Sequence, residues 1–494
     1  MSVALADDTL LLHGLRGRRE GGVAVFRGIP YAQAPTGARR FAAPEPVGLP
    51  EGGHDARAFG PVPPQPPRPG MARRAEAGLG NCLNLNIWTP DPAARGQPVL
   101  LWLPGGGFVR ADAGQDWYEG AGFARQGIVL VSVNYRVGVD GFAALDGAPA
   151  NRGLLDQIAA LQWVQRHIRH FGGDPAQVTL AGHSAGAGSV ACLLGLPQAR
   201  GLFRRAILQS PSVATLDTVQ AGRLSAVLAA LLGVPATRAA FAALPVAELL
   251  RGVEQLLARG MPERDCAAFC MASPFRPTVD GALLRVPVLQ QLAQAAPQLQ
   301  GMDVLVGSND EEMRFYLAPD DRLAQVGEAA LDAFCRAAGL PPALAAAYPG
   351  ASAGERLCAL QSDYYYRLPA LRIAELCASA GLRSFHYRFG WRSDACGGRM
   401  GAAHALEVPF VFDTLPSSTA RGLAGSAPPA ALAQQMHAAW GRFVREGTPG
   451  WTPFQAGQHY TERLGGNAGS ADIALPLAAP ARWSAIFPSP GDPS

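Results

Sequence analysis

The chain of 494 residues contains no lysine; its 42 basic residues are all arginine. GC-rich coding is the simplest reading of this bias and is preferred to a functional one. Charged residues make up 16% of the chain and the net charge is only +3. No basic run is interleaved with aromatics, which excludes a nucleic-acid interface of the usual kind. No stretch reaches 18 apolar residues without a charge, so no membrane span is expected. The N-terminal apolar stretch is interrupted by Asp7 and Asp8 and follows no basic region. A secretory signal is therefore not expected, and the simplest location is the cytoplasm. The eight cysteines form no zinc-like CxxC pairs. Cys266 and Cys270 stand four apart, suited to one helix face. Free thiols are expected there over a disulfide in a reducing compartment. Repeats at a fixed period are also missing.

What is present is a hydrophobic fraction of 48%, enough for a large core. Short continuous apolar runs occur at 98–104 (PVLLWLP), 128–134 (IVLVSVN) and 178–182 (VTLAG). Further ones lie at 206–210, 303–308 and 384–389. Such runs suit strands buried on both faces of a mostly parallel sheet. Residues 152–171 carry Leu154, Leu155, Ile158, Leu161, Trp163 and Ile168 at helical spacing, and GGDP then breaks the helix. The alternation is an α/β pattern. The proline-rich 61–70 (PVPPQPPRPG) reads as a stiff surface loop. Residues 214–275 are Ala/Leu-rich and helical in pattern, placed to cap a pocket. One enlarged domain over 1–494 is expected, with that helical insertion.

Residues 181–186 read AGHSAG. A G-x-S-x-G match is weak evidence alone in a chain with 58 glycines. Its context is stronger: VTLAG before it is strand-like, and AGAGSVACLLGL after it is a helix start. That is the strand–turn–helix setting of a nucleophile elbow. The turn places Ser184 at a helix N-terminus, where developing negative charge is favoured. Residues 104–108 read PGGGF after a buried strand. Consecutive glycines let the backbone approach an oxygen and aim N–H groups at it.

The chain resembles the type-B carboxylesterases, the cholinesterase-like branch of the α/β-hydrolases that includes bacterial para-nitrobenzyl esterases. The resemblance runs through FRGIPYAQAPTGARRF (26–41), CLNLNIWTP (82–90), PGGGF (104–108), NYRVGVDGF (134–142) and NRGLLDQIAALQWVQRHIRHFGGDP (151–175). It continues through AGHSAG, GLFRRAILQS (201–210), FRPTVDG (275–281), GSNDEEMRF (307–315) and AAHALEVPFVF (402–412). It implies an α/β-hydrolase fold, a large mostly parallel sheet flanked by helices. It also implies ester hydrolysis on a small-molecule substrate without metal or organic cofactor.

In such hydrolases the acid and the histidine follow the serine in that order. Asp310, Glu311 and Glu312 are candidate acids, and matching the family's loop selects Glu312 ahead of Glu311. His386 reads as a strand residue, His437 as a helix residue, and His459 lies in a polar segment. His167 and His170 read as helix-surface residues. His404 opens ALEVPFVF, the family's catalytic-histidine loop. The resemblance implies Ser184, Glu312 and His404 as the catalytic set, with the N–H groups of Gly106, Gly107 and Ala185 as the oxyanion hole.

Three departures stand out. His183 replaces the usual Glu before the serine, and either packs or alters the working pH. Pro104 replaces the usual His or Tyr before the glycines, and has no N–H. Pro63 stands where secreted relatives carry the cysteine that pairs with the position of Cys82. The leading expectation is a serine carboxylesterase for small to medium esters, monomeric by default. A hydrolase of an unusual carbamate, amide or bulky ester is the alternative. A non-catalytic binding protein is disfavoured because all three candidate groups are present.

Overall fold

The continuous apolar runs are strands that stand side by side. The computed structural model describes residues 3–4, 8–50, 52–67, 75–259, 273–348, 350–455 and 459–466. Eight strands carry the centre of the sheet: β1 (Val23–Pro30), β2 (Asn84–Thr89), β3 (Gln97–Leu103), β4 (Val129–Val133), β5 (Gly173–His183), β6 (Arg205–Gln209), β7 (Asp303–Asn309) and β8 (Arg383–Phe389). Their spatial order is β1-β2-β4-β3-β5-β6-β7-β8. The first two pairings are antiparallel and all later ones parallel. Thr9–Leu12 and Leu15–Glu20 extend one edge, and Glu462–Leu464 closes the other.

Every residue of β4, β6 and β7 is buried. Successive side chains of a strand face opposite sides. Val99, Leu101 and Leu103 thus enter one hydrophobic core, while Leu100 and Trp102 enter a second across the sheet. Both faces are covered, which is why these strands read as unbroken apolar runs.

Helices fill the faces: α1 (Arg152–His167), α2 (Ala185–Gly195), α3 (Thr218–Leu232), α4 (Arg238–Ala243), α5 (Val246–Arg259), α6 (Ala353–Ser362), α7 (Leu368–Ser379) and α8 (Ala430–Glu446). The periodic stretch at 152–171 is α1 followed by a 3-10 turn, Ile168–Phe171. Gly172 at φ 84° ends it, a conformation glycine adopts without steric cost. The helical pattern at 214–275 is α3, α4 and α5; residues 260–272 lie outside the described residues. Leu228, Phe241, Leu249, Val253 and Leu256 join the same core as Val99. Most of the insertion's apolar face thus packs into the core of the sheet, and among the described residues only Leu216, Ala221 and Leu224 form a small cluster apart.

The proline-rich stretch differs from the expected surface loop. Val62 to Pro66 are buried. The Gln65 side chain donates to the carbonyls of Pro63 (3.0 Å) and Ala111 (2.7 Å) and accepts from the Ala111 N–H (3.2 Å). Prolines bring no N–H, so an extended buried stretch leaves fewer donors to satisfy. Residues 68–70 of this stretch lie outside the described residues, as do Cys266 and Cys270. Cys82, buried, is a free thiol. Among the described residues no helix is long and apolar enough to cross a membrane.

Candidate active site

β5 ends at His183 and α2 begins at Ala185, so Ser184 forms the whole turn. Its backbone sits at φ 58°, ψ −121°. A non-glycine residue with positive φ is strained and persists only where surrounding structure holds it. Three bonds do so: the Ser184 N–H donates to Gln209 O (2.8 Å), and Ser184 O accepts from the N–H groups of Gly188 (2.8 Å) and Ser212 (3.4 Å). The glycines packed around the turn have no room for side chains. A Cβ on Gly186 would stand 2.1 Å from Leu103 O, and one on Gly105 would stand 2.9 Å from Ser184 Cβ. The glycine loop therefore presses directly on the serine. Ala185 opens α2, and the first N–H groups of a helix have no intrahelical acceptor.

That loop leaves β3 at Leu103. Pro104 lacks an N–H, but its carbonyl accepts the Tyr135 hydroxyl at 2.7 Å. Gly106 (φ 144°) and Gly107 (φ 64°) take conformations that L side chains rarely adopt. Gly106 O accepts from the N–H groups of Val109 (3.2 Å) and Arg110 (3.0 Å). The Ser273 hydroxyl donates to Gly107 O. A trans peptide points its N–H opposite to its C=O. Tethering the Gly106 carbonyl therefore fixes the direction of the Gly107 N–H before any ligand arrives.

Beyond β7 the three candidate acids part. Asp310 pairs with Arg388 (2.5 Å) and Arg463 (3.1 Å). Glu311 turns to Arg314 (2.6 Å), Arg392 and the Ala402 N–H (3.0 Å). Burial works against its charge, but these partners hold its carboxyl below the usual value. Glu312 turns inward and is completely buried. Its Oε2 meets His404 Nδ1 at 2.5 Å. Its Oε1 accepts from Ser210 Oγ (2.6 Å) and the Asn309 N–H (2.7 Å). The His404 N–H donates to Glu312 O at 3.1 Å, locking the two loops together. Burial pushes the Glu312 carboxyl up to about 8, with the Ser210 and Asn309 bonds pulling the other way.

A second buried carboxylate lies close by. Glu407 accepts from Asn309 Nδ2 (2.7 Å) and Gln209 Nε2 (3.1 Å). Gln209 is itself held by Trp440 Nε1 at 3.1 Å. Burial, and then the charge of Glu312, push Glu407 up to about 7. Neither Ser210 nor Glu407 was a sequence-level candidate. An acidic residue inside the apolar run ALEVPFVF is the signal that marks Glu407; no local signal marks Ser210.

The His404 ring is buried among other rings. Tyr366 lies 4.4 Å away between centroids and His183 4.5 Å, both tilted. Phe315 and Tyr316 lie at 5.9 Å. The other histidines sit elsewhere. His386 in β8 meets Thr461 Oγ1 at 2.8 Å, and His437 in α8 meets Val411 O at 2.8 Å. His459 stacks on Phe454, and the partly exposed His167 and His170 lie beside each other at the end of α1. Among the described residues no group of three or more His, Cys, Asp or Glu side chains could hold a metal ion.

The carboxylesterase family model matches residues 11–339 and 344–470. The para-nitrobenzyl esterase of Bacillus subtilis (strain 168) is 32% identical over 450 residues, covering 88% of each chain. The phenmedipham hydrolase of Pseudarthrobacter oxydans is 32% identical over 491 residues, covering 94% of this chain and 96% of that one. Among solved structures, a Geobacillus stearothermophilus carboxylesterase superposes with a TM-score of 0.78 at 34% identity, covering 91% of this chain and 94% of the other. The parallel sheet flanked by helices is thus the α/β-hydrolase fold, and this chain, a carboxylic ester hydrolase, belongs to the carboxylesterase family.

Proposed function

We propose that the protein is a serine carboxylesterase that hydrolyses small to medium carboxylic esters through an acyl-enzyme on Ser184. The observation that carries this reading is the 2.5 Å contact between Glu312 Oε2 and His404 Nδ1, with the His404 ring against His183, the residue before the strained turn at Ser184. A donating Nδ1–H fixes the tautomer and puts the basic lone pair on Nε2.

Nε2 takes the Ser184 Oγ proton as Oγ attacks the ester carbonyl carbon. The carbonyl oxygen becomes an oxyanion held by the N–H groups of Gly106, Gly107 and Ala185. Each such donor contributes about 3 kcal/mol in comparable enzymes. Collapse expels the alcohol, which leaves with the proton from His404, and the acyl group stays on Ser184. Water then loses a proton to Nε2 and attacks the acyl carbon; the bond to Ser184 Oγ breaks, Oγ takes that proton from His404, and the acid is released. Glu312 stabilises the transient imidazolium in both halves. No cofactor enters these steps. Every group lies on one chain, so a monomer suffices. The insertion sharing its core with the sheet supports one enlarged domain.

One relative is named for para-nitrobenzyl esters and another for phenmedipham. The likeness therefore bounds the reaction and leaves acyl and alcohol preference to the lining. Hydrolysis of a chain-length series of p-nitrophenyl esters tests the reading. The expected result is saturable turnover with one best chain length, and a loss of about 10⁶ in kcat in Ser184→Ala. Full activity in that variant would overturn the mechanism.

A further inference from the structure

We propose that Tyr366 is a positioning residue for the His404 imidazole, acting through the face of its ring. The proposal rests on the reading of His404 as the base. Tyr366 is completely buried, and its ring lies 4.4 Å from that of His404, tilted by 32°. At this distance and tilt the two rings are in close contact and not edge-on at a right angle, and an aromatic ring so placed limits a neighbour's plane and favours positive charge near its face. The imidazole gains that charge in each half of the reaction.

The backbone around Tyr366 is unusual. Between α6 and α7 the chain passes through a π-helical turn, Asp363–Arg367. Such turns insert one residue into a helix and occur disproportionately at functional sites. Pro369 supplies the local cause of the widening, because its ring would clash with the carbonyl four residues earlier, that of Tyr365. The widened register is then used. The turn is fastened on both sides of Glu312. Arg367 donates to Asp310 O at 3.1 Å, and the Met313 N–H donates to Ser362 Oγ at 3.1 Å. Inside the turn, Asp363 accepts the Tyr348 hydroxyl at 2.7 Å and pairs with Arg367. The segment that carries Tyr366 is thus tied to the loop that carries Glu312. The carboxylate fixes His404 at Nδ1, and Tyr366 fixes the plane of the ring. The Tyr366 hydroxyl meets that of Tyr316 at 3.2 Å, so it has a partner other than the imidazole.

The test compares Tyr366→Leu and Tyr366→Phe in the full chain, using the p-nitrophenyl ester that turns over best. Leu keeps bulk and loses the ring; Phe keeps the ring and loses the hydroxyl. Tyr366→Leu should lower kcat about tenfold or more with KM held within about twofold, since a misplaced base costs rate and not binding. Tyr366→Phe should restore kcat to within about twofold of the unaltered protein. An unchanged kcat in the Leu variant overturns the proposal, as does a rise in KM alone, which would make the ring part of the substrate lining. If Leu prevents folding, Phe still decides: a tenfold loss there assigns the effect to the hydroxyl and overturns it. His404→Gln is measured alongside. Full activity in His404→Gln defeats the reading of the base itself. Its inactivity with an unaffected Tyr366→Leu defeats only this proposal.

Discussion

The imidazole of His183 lies against that of His404, with ring centroids 4.5 Å apart and planes tilted by 40°. Both rings are buried. Two positive charges at that distance repel by about 4 kcal/mol at an effective dielectric of about 20. A positive charge on His183 would oppose the charge that His404 gains when it accepts the serine proton. His183→Glu replaces a potential repulsion with an attraction and so favours the charged form of His404. The acid limb of the kcat/KM profile should then move to higher pH by about one unit or more. His183→Gln is the neutral control for shape. If the Glu and Gln variants share one acid limb, His183 has no electrostatic link to the base.

Ser210 stands at φ 50° just beyond β6 and donates to Glu312 Oε1 at 2.6 Å. This bond favours the ionised carboxylate, opposing the burial that pushes Glu312 up to about 8. Removing it with Ser210→Ala must raise Glu312 further. The active form needs Glu312 ionised and His404 neutral. The acid limb therefore moves upward, and activity near neutrality falls while the alkaline plateau is kept. A pH–rate profile reads this directly. A limb that stays put, or moves down, would show that the hydroxyl has no hold on the carboxylate.

These two relationships mark where the sequence is readable and where it is not. Leu100, Val131 and Ile207 sit in runs that are apolar because both sheet faces are covered, so the strands announce themselves locally. The turn at Ser184 is equally local, because Gly182 and Gly186 flank it within the same ten residues. Glu311 and Glu312 could not be separated by their neighbours in sequence. They part because Arg314 and Arg392 draw one outward while Ser210 and His404 meet the other inside. Ser210 and Tyr366 carry no local signal for the same reason: their contacts join segments remote in the chain. The stretch at 62–66 misled because prolines mark surface loops by habit. Here their missing N–H groups suit a buried course against Arg110 and Ala111.

Glu407 offers a stability test that is independent of turnover. It is completely buried, and burial and the nearby Glu312 push it up to about 7. In the unfolded chain a Glu titrates near 4.3. Between these values the folded protein binds more protons than the unfolded one. By linkage, the part of the stability that depends on this group is fully present below about pH 4.3 and is lost as pH rises through about 7. Glu407→Gln abolishes that titration while keeping the side chain's size. Its amide also meets Asn309 Nδ2 and Gln209 Nε2 as neighbours, so the absolute Tm can move either way. The slope is the discriminating quantity. Measured from about pH 4.5 to about pH 8, the fall in Tm should be shallower in Glu407→Gln than in the unaltered protein. Some slope remains, because Glu312 is raised by the same burial. Parallel curves over that range would mean that Glu407 is ionised in the folded protein as readily as in the unfolded chain, and that the Asn309 and Gln209 bonds fully offset its burial.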